Sequence, residues 1–350
     1  MNDIVQKLLE IYGILEGLIY NSPWAQRTMS FVTTEGPLQL TILFLLSSMV
    51  MLWRLNAVEQ KGFEGTMVGT LIMPYCSGFA NLAFAFVMGR SGGAGSLVLE
   101  NCIVNNVTNL TLVLGITALF GGMCVYAKPG GKAPEKTTAR IGWISLLLTI
   151  TALFFFTGAL WTLARDGQLD FYDGLMLCGL FAFWQVIHLF EVLKNNVRKK
   201  QSLPSSLVFD LALAGLAAWV CLYSIEGLVA WVTAHGKGWL SVKNLGLLSG
   251  ILMVIPNALL AFYYAGRGRA DIAYSSQIGD CHICIPLCLG LYALFTPITL
   301  PDSFTPGLIA ILAAGCAHLF FTTLTGRIPR LIGVGLATGY AFFLYKGMSF

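Results

Sequence analysis

Amide and carboxyl side chains that could bind a cation lie inside some of the most apolar stretches of this chain. Asn101, Asn105, Asn106 and Asn109 follow one another at spacings that place several of them on one helix face. Asp280 lies in a second apolar stretch. Because amide and carboxylate oxygens ligate hard cations, this pattern indicates a cation or proton site. Hydrogen bonding between helices is the alternative interpretation of the asparagines.

The two stretches that carry these residues are similar to each other. Leu114–Phe120 agrees with Leu289–Phe295 at five of seven positions, and Asn81 pairs with Asn257 at the other end of the match. The chain is therefore interpreted as a duplicated half. Repeats of this kind in membrane proteins usually meet at a substrate site near the bilayer midplane. Asn81 and Asn257 accordingly join the predicted site.

Acidic residues within the apolar stretches extend the predicted site. Glu100 begins the asparagine-rich stretch, and we expect it to approach the same central cavity as Asp280. Glu226 lies toward the end of another stretch, where solvation at the membrane surface is expected. The predicted cation-binding residues are Asn81, Glu100, Asn105, Asn109, Asn257 and Asp280.

Three cysteines offer a different chemistry. Cys281, Cys284 and Cys288 recur at intervals of three and four, which places them along one helix face, and His282 lies on a neighbouring face. Thiolate and imidazole ligands suit soft metals such as copper or zinc. Cysteine is also a common small apolar residue in packed helices. A membrane redox or soft-metal-binding protein is therefore one alternative function.

Composition predicts that the chain spans a membrane. Hydrophobic residues make up 56% of the chain and charged residues 11%, and the mean hydropathy is +0.74. Because a helical span needs about 20 mostly apolar residues, the apolar runs predict ten helical spans. The predicted spans are Leu38–Trp53, Thr66–Met88, Leu97–Tyr126, Ile141–Leu163, Phe171–Leu193, Leu207–Val232, Val242–Gly266, Ile272–Phe295, Pro306–Leu324 and Leu331–Tyr345.

The ten predicted spans divide into two halves. Residues 1–37 form an N-terminal segment whose part from Asp3 to Tyr20 is amphipathic and is expected to lie on the membrane. The first five-helix repeat covers residues 38–193, a cytoplasmic linker residues 194–206, and the second repeat residues 207–350. Since each half has five spans, the second repeat enters from the opposite side and is inverted. The predicted fold class is an all-α membrane protein.

Basic residues predict the orientation. Two thirds of the 21 Lys and Arg residues fall on one set of alternate loops, which include Arg198-Lys199-Lys200. Because cytoplasmic loops carry the excess of positive charge, both termini are predicted to lie outside the cytoplasm of a cell (inner) membrane. The net charge of +4 is explained by this asymmetry, so no nucleic-acid partner is expected.

Sequence signatures of enzymes are missing. The chain has no phosphate-binding P-loop, no G-x-S-x-G elbow and no His-Glu-x-x-His helix. We therefore expect neither an enzymatic activity nor a cofactor. His318 lies singly within its span and is interpreted as a core histidine or as a donor that bridges helices.

The two copies resemble the alpha repeats of the sodium/calcium and cation/proton exchanger superfamily. Each family repeat has a pattern like G-T-S-L-P-E-L-x-x-S, a loop, then G-N-x-x-G-S-N-x-x-N and an apolar L-G stretch. Asn101, Asn106 and Asn109 match three of the family asparagines. Asn105 and Asp280 occupy the serine position of the first and second copies, and Cys284 stands at the last asparagine of the second copy.

The resemblance implies a secondary transporter that works by alternating access, with a cation substrate and membrane lipids as its surroundings. The family has a glutamate after the proline in both copies, where this chain has Asn81 and Asn257. Those glutamates supply most of the charge that holds calcium. With Asp280 as the titrating group, the site is expected to exchange a monovalent cation against a proton. A second alternative is a non-transporting, exchanger-like subunit of a larger membrane complex.

Overall fold

The computed structural model of the protein describes residues 36–60, 78–121, 123–125, 133–196 and 206–347. Nearly all of these residues are helical. The amphipathic segment from Asp3 to Tyr20, Pro74 and most of the predicted linker lie outside the described residues.

The first half of the described chain begins with two helices, followed by a helix that changes its hydrogen-bonding pattern midway. These elements are α1 (Pro37–Gln60), α2 (Phe79–Arg90), α3 (Gly95–Val107), the π-helical segment π1 (Thr108–Val113), α4 (Leu114–Gly121), α5 (Ala133–Leu163) and α6 (Phe171–Asn196). Two short strands, β1 (Met123–Cys124) and β2 (Gln168–Leu169), and a 3₁₀ turn, Ala164–Asp166, occupy the connections.

The second half repeats this order of elements. It contains α7 (Ser206–His235), α8 (Leu245–Gly266), α9 (Ala270–His282), the π-helical segment π2 (Ile283–Cys288), α10 (Leu289–Ala293), α11 (Phe304–Leu324) and α12 (Arg330–Gly347). Its short strands are β3 (Ile298–Thr299) and β4 (Arg327–Ile328), and two 3₁₀ turns, Gly238–Leu240 and Val242–Asn244, precede α8. In each half a 13-residue α-helix leads into a six-residue π segment.

Every predicted span overlaps at least one helix of the described residues. Six segments of these helices are long and apolar enough to cross a membrane: Pro37–Arg54, Gly95–Phe120, Leu146–Asp166, Ala212–His235, Val242–Gly266 and Phe304–Leu324. The helix α9 is not among them; it has 13 residues, and it carries buried polar residues, including Gln277, Asp280 and His282. Ten spans and their inversion therefore remain predictions.

The segment that contains α3 and π1 forms the centre of the molecule. In the apolar 18-residue window within Gly95–Phe120, 78% of the residues are buried, against 33% for Pro37–Arg54 in α1. α3 packs against α8 and α11, whereas α1 packs mainly along α7. The central helix is therefore surrounded by protein, which allows polar side chains to occupy it.

Two pairs of glycines bring helices into close contact at equivalent places in the halves. A Cβ atom on Gly115 of α4 would lie 3.0 Å from the carbonyl oxygen of Gly333 in α12. In the other half, a Cβ atom on Gly290 of α10 would lie 3.0 Å from the carbonyl oxygen of Gly174 in α6. Both contacts leave no room for a side chain, so the two helix pairs pack in the same way.

The short strands pair between the halves. β1 is antiparallel to β4, with Met123 opposite Ile328, and β2 is antiparallel to β3, with Leu169 opposite Ile298. Each ribbon joins a strand from the first half to a strand from the second. Sequence reasoning did not predict these strands, because two residues are too few to show a strand pattern.

Candidate functional site

Five of the predicted cation-binding residues meet in one buried group of side chains, here called the polar cluster. It consists of Asn81 of α2, Asn105 of α3, Asn109 of π1, Asn257 of α8 and Asp280 of α9. Each of the five is at most 1% exposed. Burial of this many polar side chains is costly unless each finds a hydrogen-bonding or ionic partner.

A continuous chain of hydrogen bonds links the polar cluster. The Asn105 amide donates to Oδ1 of Asn81 at 3.2 Å, and the Asn109 amide donates to Oδ1 of Asn105 at 2.9 Å. The Asn109 amide also donates to Oδ2 of Asp280 at 2.6 Å, and the Asn257 amide reaches the same oxygen at 3.3 Å. The Asp280 carboxylate therefore accepts hydrogen bonds from both copies of the repeat.

The hydrogen-bonding pattern leaves an acceptor unused at the centre of the polar cluster. Oδ1 of Asn109 is buried and accepts no hydrogen bond within the described part of the chain. An unsatisfied buried amide oxygen costs about 1–3 kcal/mol. A cation beside Asp280 could take this oxygen as a ligand, since hard cations bind carboxylate and amide oxygens together.

The remaining asparagines of α3 have different contacts. The Asn101 amide donates to Oγ of Ser249 at 2.9 Å in α8, and the Asn106 amide donates to the carbonyl oxygen of Cys281 at 3.3 Å in α9. Their positions on α3 turn them toward these neighbouring helices. Asn101 and Asn106 thus bridge helices, while Asn105 and Asn109 belong to the polar cluster.

Gln277 adds an amide that the sequence-based site did not include. It is fully buried one turn before Asp280, and its amide donates to the carbonyl oxygen of Asn257 at 3.3 Å. The spacing of Gln277 and Asp280 could have identified Gln277 from the sequence, because residues three apart share a helix face.

The structure does not place Glu100 in the polar cluster. Glu100 is half-buried and lies five residues before Asn105, which is about 7.5 Å along the helix axis. Its carboxylate packs against the first turn of α8, where a Cβ atom on Gly246 would lie 2.6 Å from Oε2 of Glu100. A separation by more than one helical turn explains why Glu100 and Asp280 do not come together.

Of the three cysteines of the predicted soft-metal face, Cys284 and Cys288 share a neighbour, whereas Cys281 bonds within its own helix. The Cys281 thiol donates to the carbonyl oxygen of Gln277 at 3.4 Å, and the Cys284 thiol donates to Oδ1 of Asn105 at 3.5 Å. Cys288 lies with Cys284 beside Cys102 of α3. Within the described ranges, no group of three or more His, Cys, Asp or Glu side chains is arranged to hold a metal ion.

Comparisons with known proteins agree with this architecture. Residues 30–190, a little under half of the chain, match the family model described as sodium/calcium exchanger protein. No curated protein matches the sequence.

Solved structures of the sodium-calcium exchanger NCX_Mj share the fold. The structure soaked with 2.5 mM Na⁺ and 1 mM Sr²⁺ has a TM-score of 0.65 and 16% identity, over 88% of this chain and 96% of that chain. The structure soaked with zero Na⁺ and Ca²⁺ has a TM-score of 0.63 and 18% identity, over 90% of this chain and 99% of that chain. These structures show that the fold is shared, and the family match over residues 30–190 agrees with the resemblance of the first copy.

Proposed function

We propose that this divergent member of the sodium/calcium exchanger superfamily is a secondary transporter that exchanges a monovalent cation for a proton at the polar cluster. The family match and the shared fold support an integral membrane protein of the cation exchanger type. The proposed ion and the proposed proton coupling are argued from the side chains of the polar cluster.

The observation that carries the proposal is that Asp280 provides the one carboxylate among the five side chains of the polar cluster. One negative charge balances one monovalent cation in a buried site. A divalent ion would leave a net positive charge, which is costly where water is excluded. Several carboxylates usually offset the dehydration of calcium, and the amides of Asn81 and Asn257 carry no charge.

A proton is the natural counter-substrate at the same carboxylate. Without a bound cation, an ionised carboxylate in a low-dielectric interior is unfavourable, and protonation removes the charge. Cation and proton would then compete for Asp280. The amide groups of Asn109 and Asn257 both contact Oδ2 of this carboxyl group.

We further propose that the two copies are inverted across the membrane and that both termini lie outside the cytoplasm of a cell membrane. The repeated order of α-helix, π segment and α-helix supports the duplication, as do the equivalent glycine contacts and strand pairs. The charge asymmetry of the loops supports the orientation. Alternating access would proceed by relative movement of elements around the polar cluster.

Transport measurements in proteoliposomes test the proposal. Under imposed sodium, potassium, calcium and proton gradients, we expect flux of a monovalent cation coupled to proton movement and no calcium flux. Asp280→Asn should abolish this flux. Asp271→Asn is the matched control, because Asp271 lies on the same helix but is exposed and paired with Arg269 at 3.3 Å.

Two results would contradict the proposal. Flux that is unchanged in Asp280→Asn would exclude the polar cluster as the transport site. No flux in any gradient, together with a stoichiometric membrane partner in the purified protein, would favour the non-transporting subunit.

A further inference from the structure

The π1 segment releases a backbone carbonyl group one residue after Asn109. In a regular α-helix, the N–H of Leu114 would donate to the carbonyl oxygen of Leu110. Here the Leu114 N–H reaches the carbonyl oxygens of Asn109 and Thr111 instead. The Leu114 N–H therefore does not occupy the Leu110 oxygen, which can accept a hydrogen bond from another element.

His318 of α11 supplies that donor. Its Nε2 lies 2.8 Å from the carbonyl oxygen of Leu110, and its side chain is 1% exposed. A carbonyl oxygen only accepts, so the imidazole carries its proton on Nε2. Within the described chain Nδ1 has no hydrogen-bond partner, so a second proton there would be a buried charge without an acceptor. His318 is therefore a neutral donor.

Packing holds the imidazole ring in place. The ring of Tyr274 in α9 contacts His318 edge to face, with 5.3 Å between centroids. The Tyr274 hydroxyl group is hydrogen-bonded to Oγ1 of Thr322 at 3.1 Å, one turn further along α11. Tyr274 and Thr322 are fully buried. The direction of the His318 N–H is thus set by both α9 and α11.

We propose that His318 is a positioning residue for the cation site. By bonding the Leu110 oxygen, His318 stabilises the π turn at Leu114 and thereby directs the Asn109 side chain toward Asp280, where the amide lies 2.6 Å from Oδ2. Conversion of π1 to a regular α-helix would return the Leu114 N–H to Leu110 and change how the helix presents Asn109. This inference rests on the proposed function of the polar cluster.

Three variants at position 318 test the proposal. His318→Phe keeps a ring but removes the N–H, and we expect the half-saturating cation concentration to rise about tenfold, with a smaller change in maximal rate. His318→Gln keeps an N–H close to the position of Nε2 and should stay within about twofold of the natural protein. If His318→Phe does not fold, His318→Asn replaces it, since its shorter side chain withdraws the N–H from Leu110.

Thr323→Val is the matched control. Thr323 lies on the same helix as His318 but is exposed, and its hydroxyl group donates to the carbonyl oxygens of Leu319 and Phe320 in that helix, so the half-saturating concentration should not change. Equal weakening in His318→Phe and His318→Gln would overturn the proposal, as would lower thermal stability of His318→Phe with unchanged cation affinity.

Hydrogen–deuterium exchange separates this proposal from the proposed function. Faster exchange of the backbone amides from residue 113 to 116 in His318→Phe, but not in His318→Gln, would support the role of His318 in π1 even if the natural protein moved no cation. Unchanged exchange in His318→Phe would overturn the role of His318 whatever the transport result.

Discussion

The two copies of the repeat share a backbone but differ in the side chains at their π segments. The first copy presents two neutral amides at the polar cluster, Asn105 and Asn109. At the equivalent positions the second copy has a carboxylate, Asp280, and a thiol, Cys284. Outside the polar cluster the copies remain alike, as the pairs Gly115–Gly333 and Gly290–Gly174 show. The two halves thus have the same order of elements, while the carboxylate of the polar cluster lies in the second half alone.

The copies also differ in how their π segments are stabilised. In π1 the carbonyl oxygen of Leu110 is bonded by His318. In π2 the residue next to the equivalent position is Pro286, which has no N–H and cannot continue an α-helical ladder. The same backbone deviation therefore depends on a tertiary contact in the first copy and on local sequence in the second.

Moving the carboxylate of the polar cluster from one copy to the other should have the largest effect on cation affinity. Asp280→Asn removes the carboxylate, and we expect cation affinity to fall at least about 100-fold, since removing one partner of a buried pair costs about 3–5 kcal/mol. The double variant Asn105→Asp/Asp280→Asn places the carboxylate at the equivalent position of the first copy. It should recover part of the affinity, measured by isothermal titration with sodium and potassium salts. No recovery, in a double variant that folds, would show that the copies are not interchangeable.

Restoring the family glutamates should change ion selectivity. In Asn81→Glu/Asn257→Glu, two carboxylates would join Asp280, because the Asn257 amide already lies 3.3 Å from Oδ2 of Asp280. We expect calcium affinity to rise about tenfold or more, since a divalent ion relieves the repulsion between neighbouring carboxylates. Calcium titration of the purified protein checks this. Asn81→Gln/Asn257→Gln controls for side-chain length, and an equal rise in that variant would contradict the charge argument.

Adding a methyl group at the glycine contacts should have a smaller effect, a loss of stability that is equal in the two copies. Gly115→Ala and Gly290→Ala each force a methyl group against a backbone carbonyl at about 3.0 Å, and we expect each to destabilise the protein by about 1–3 kcal/mol. Thermal unfolding in detergent measures the loss. Gly335→Ala is the control, because a Cβ atom at Gly335 meets nothing within 4 Å. Clearly unequal losses at Gly115 and Gly290 would show that the packing symmetry does not extend to stability.

Much of the polar cluster could be predicted from sequence because its residues occupy equivalent places in a visible repeat. Asn105 and Asp280 share one motif position, and Asn81 and Asn257 share another. Glu100 was grouped with them because charge in an apolar stretch indicates a site, yet this rule does not say which way a side chain turns. The structure turns Glu100 toward Gly246 of α8.

Other features had no local signal in the sequence. Neither π segment was predicted, because a single displaced hydrogen bond hardly alters hydrophobic periodicity. The strand ribbons pair residues far apart in the chain, such as Met123 with Ile328. Hydropathy predicted the span Ile272–Phe295, which overlaps α9, but it gave no sign that Gln277 contacts Asn257.

The sequence by itself determined the class of the protein and the kinds of ligand atoms, because apolar composition and repeated motifs are local properties of the chain. Tertiary structure decided which of those ligands meet. Asn109 and Asp280 come within 2.6 Å because α3, π1 and α9 pack together, and His318 reaches Leu110 because α11 lies beside π1. The direction of a side chain across a helix interface depends on that packing, which no single stretch of sequence records.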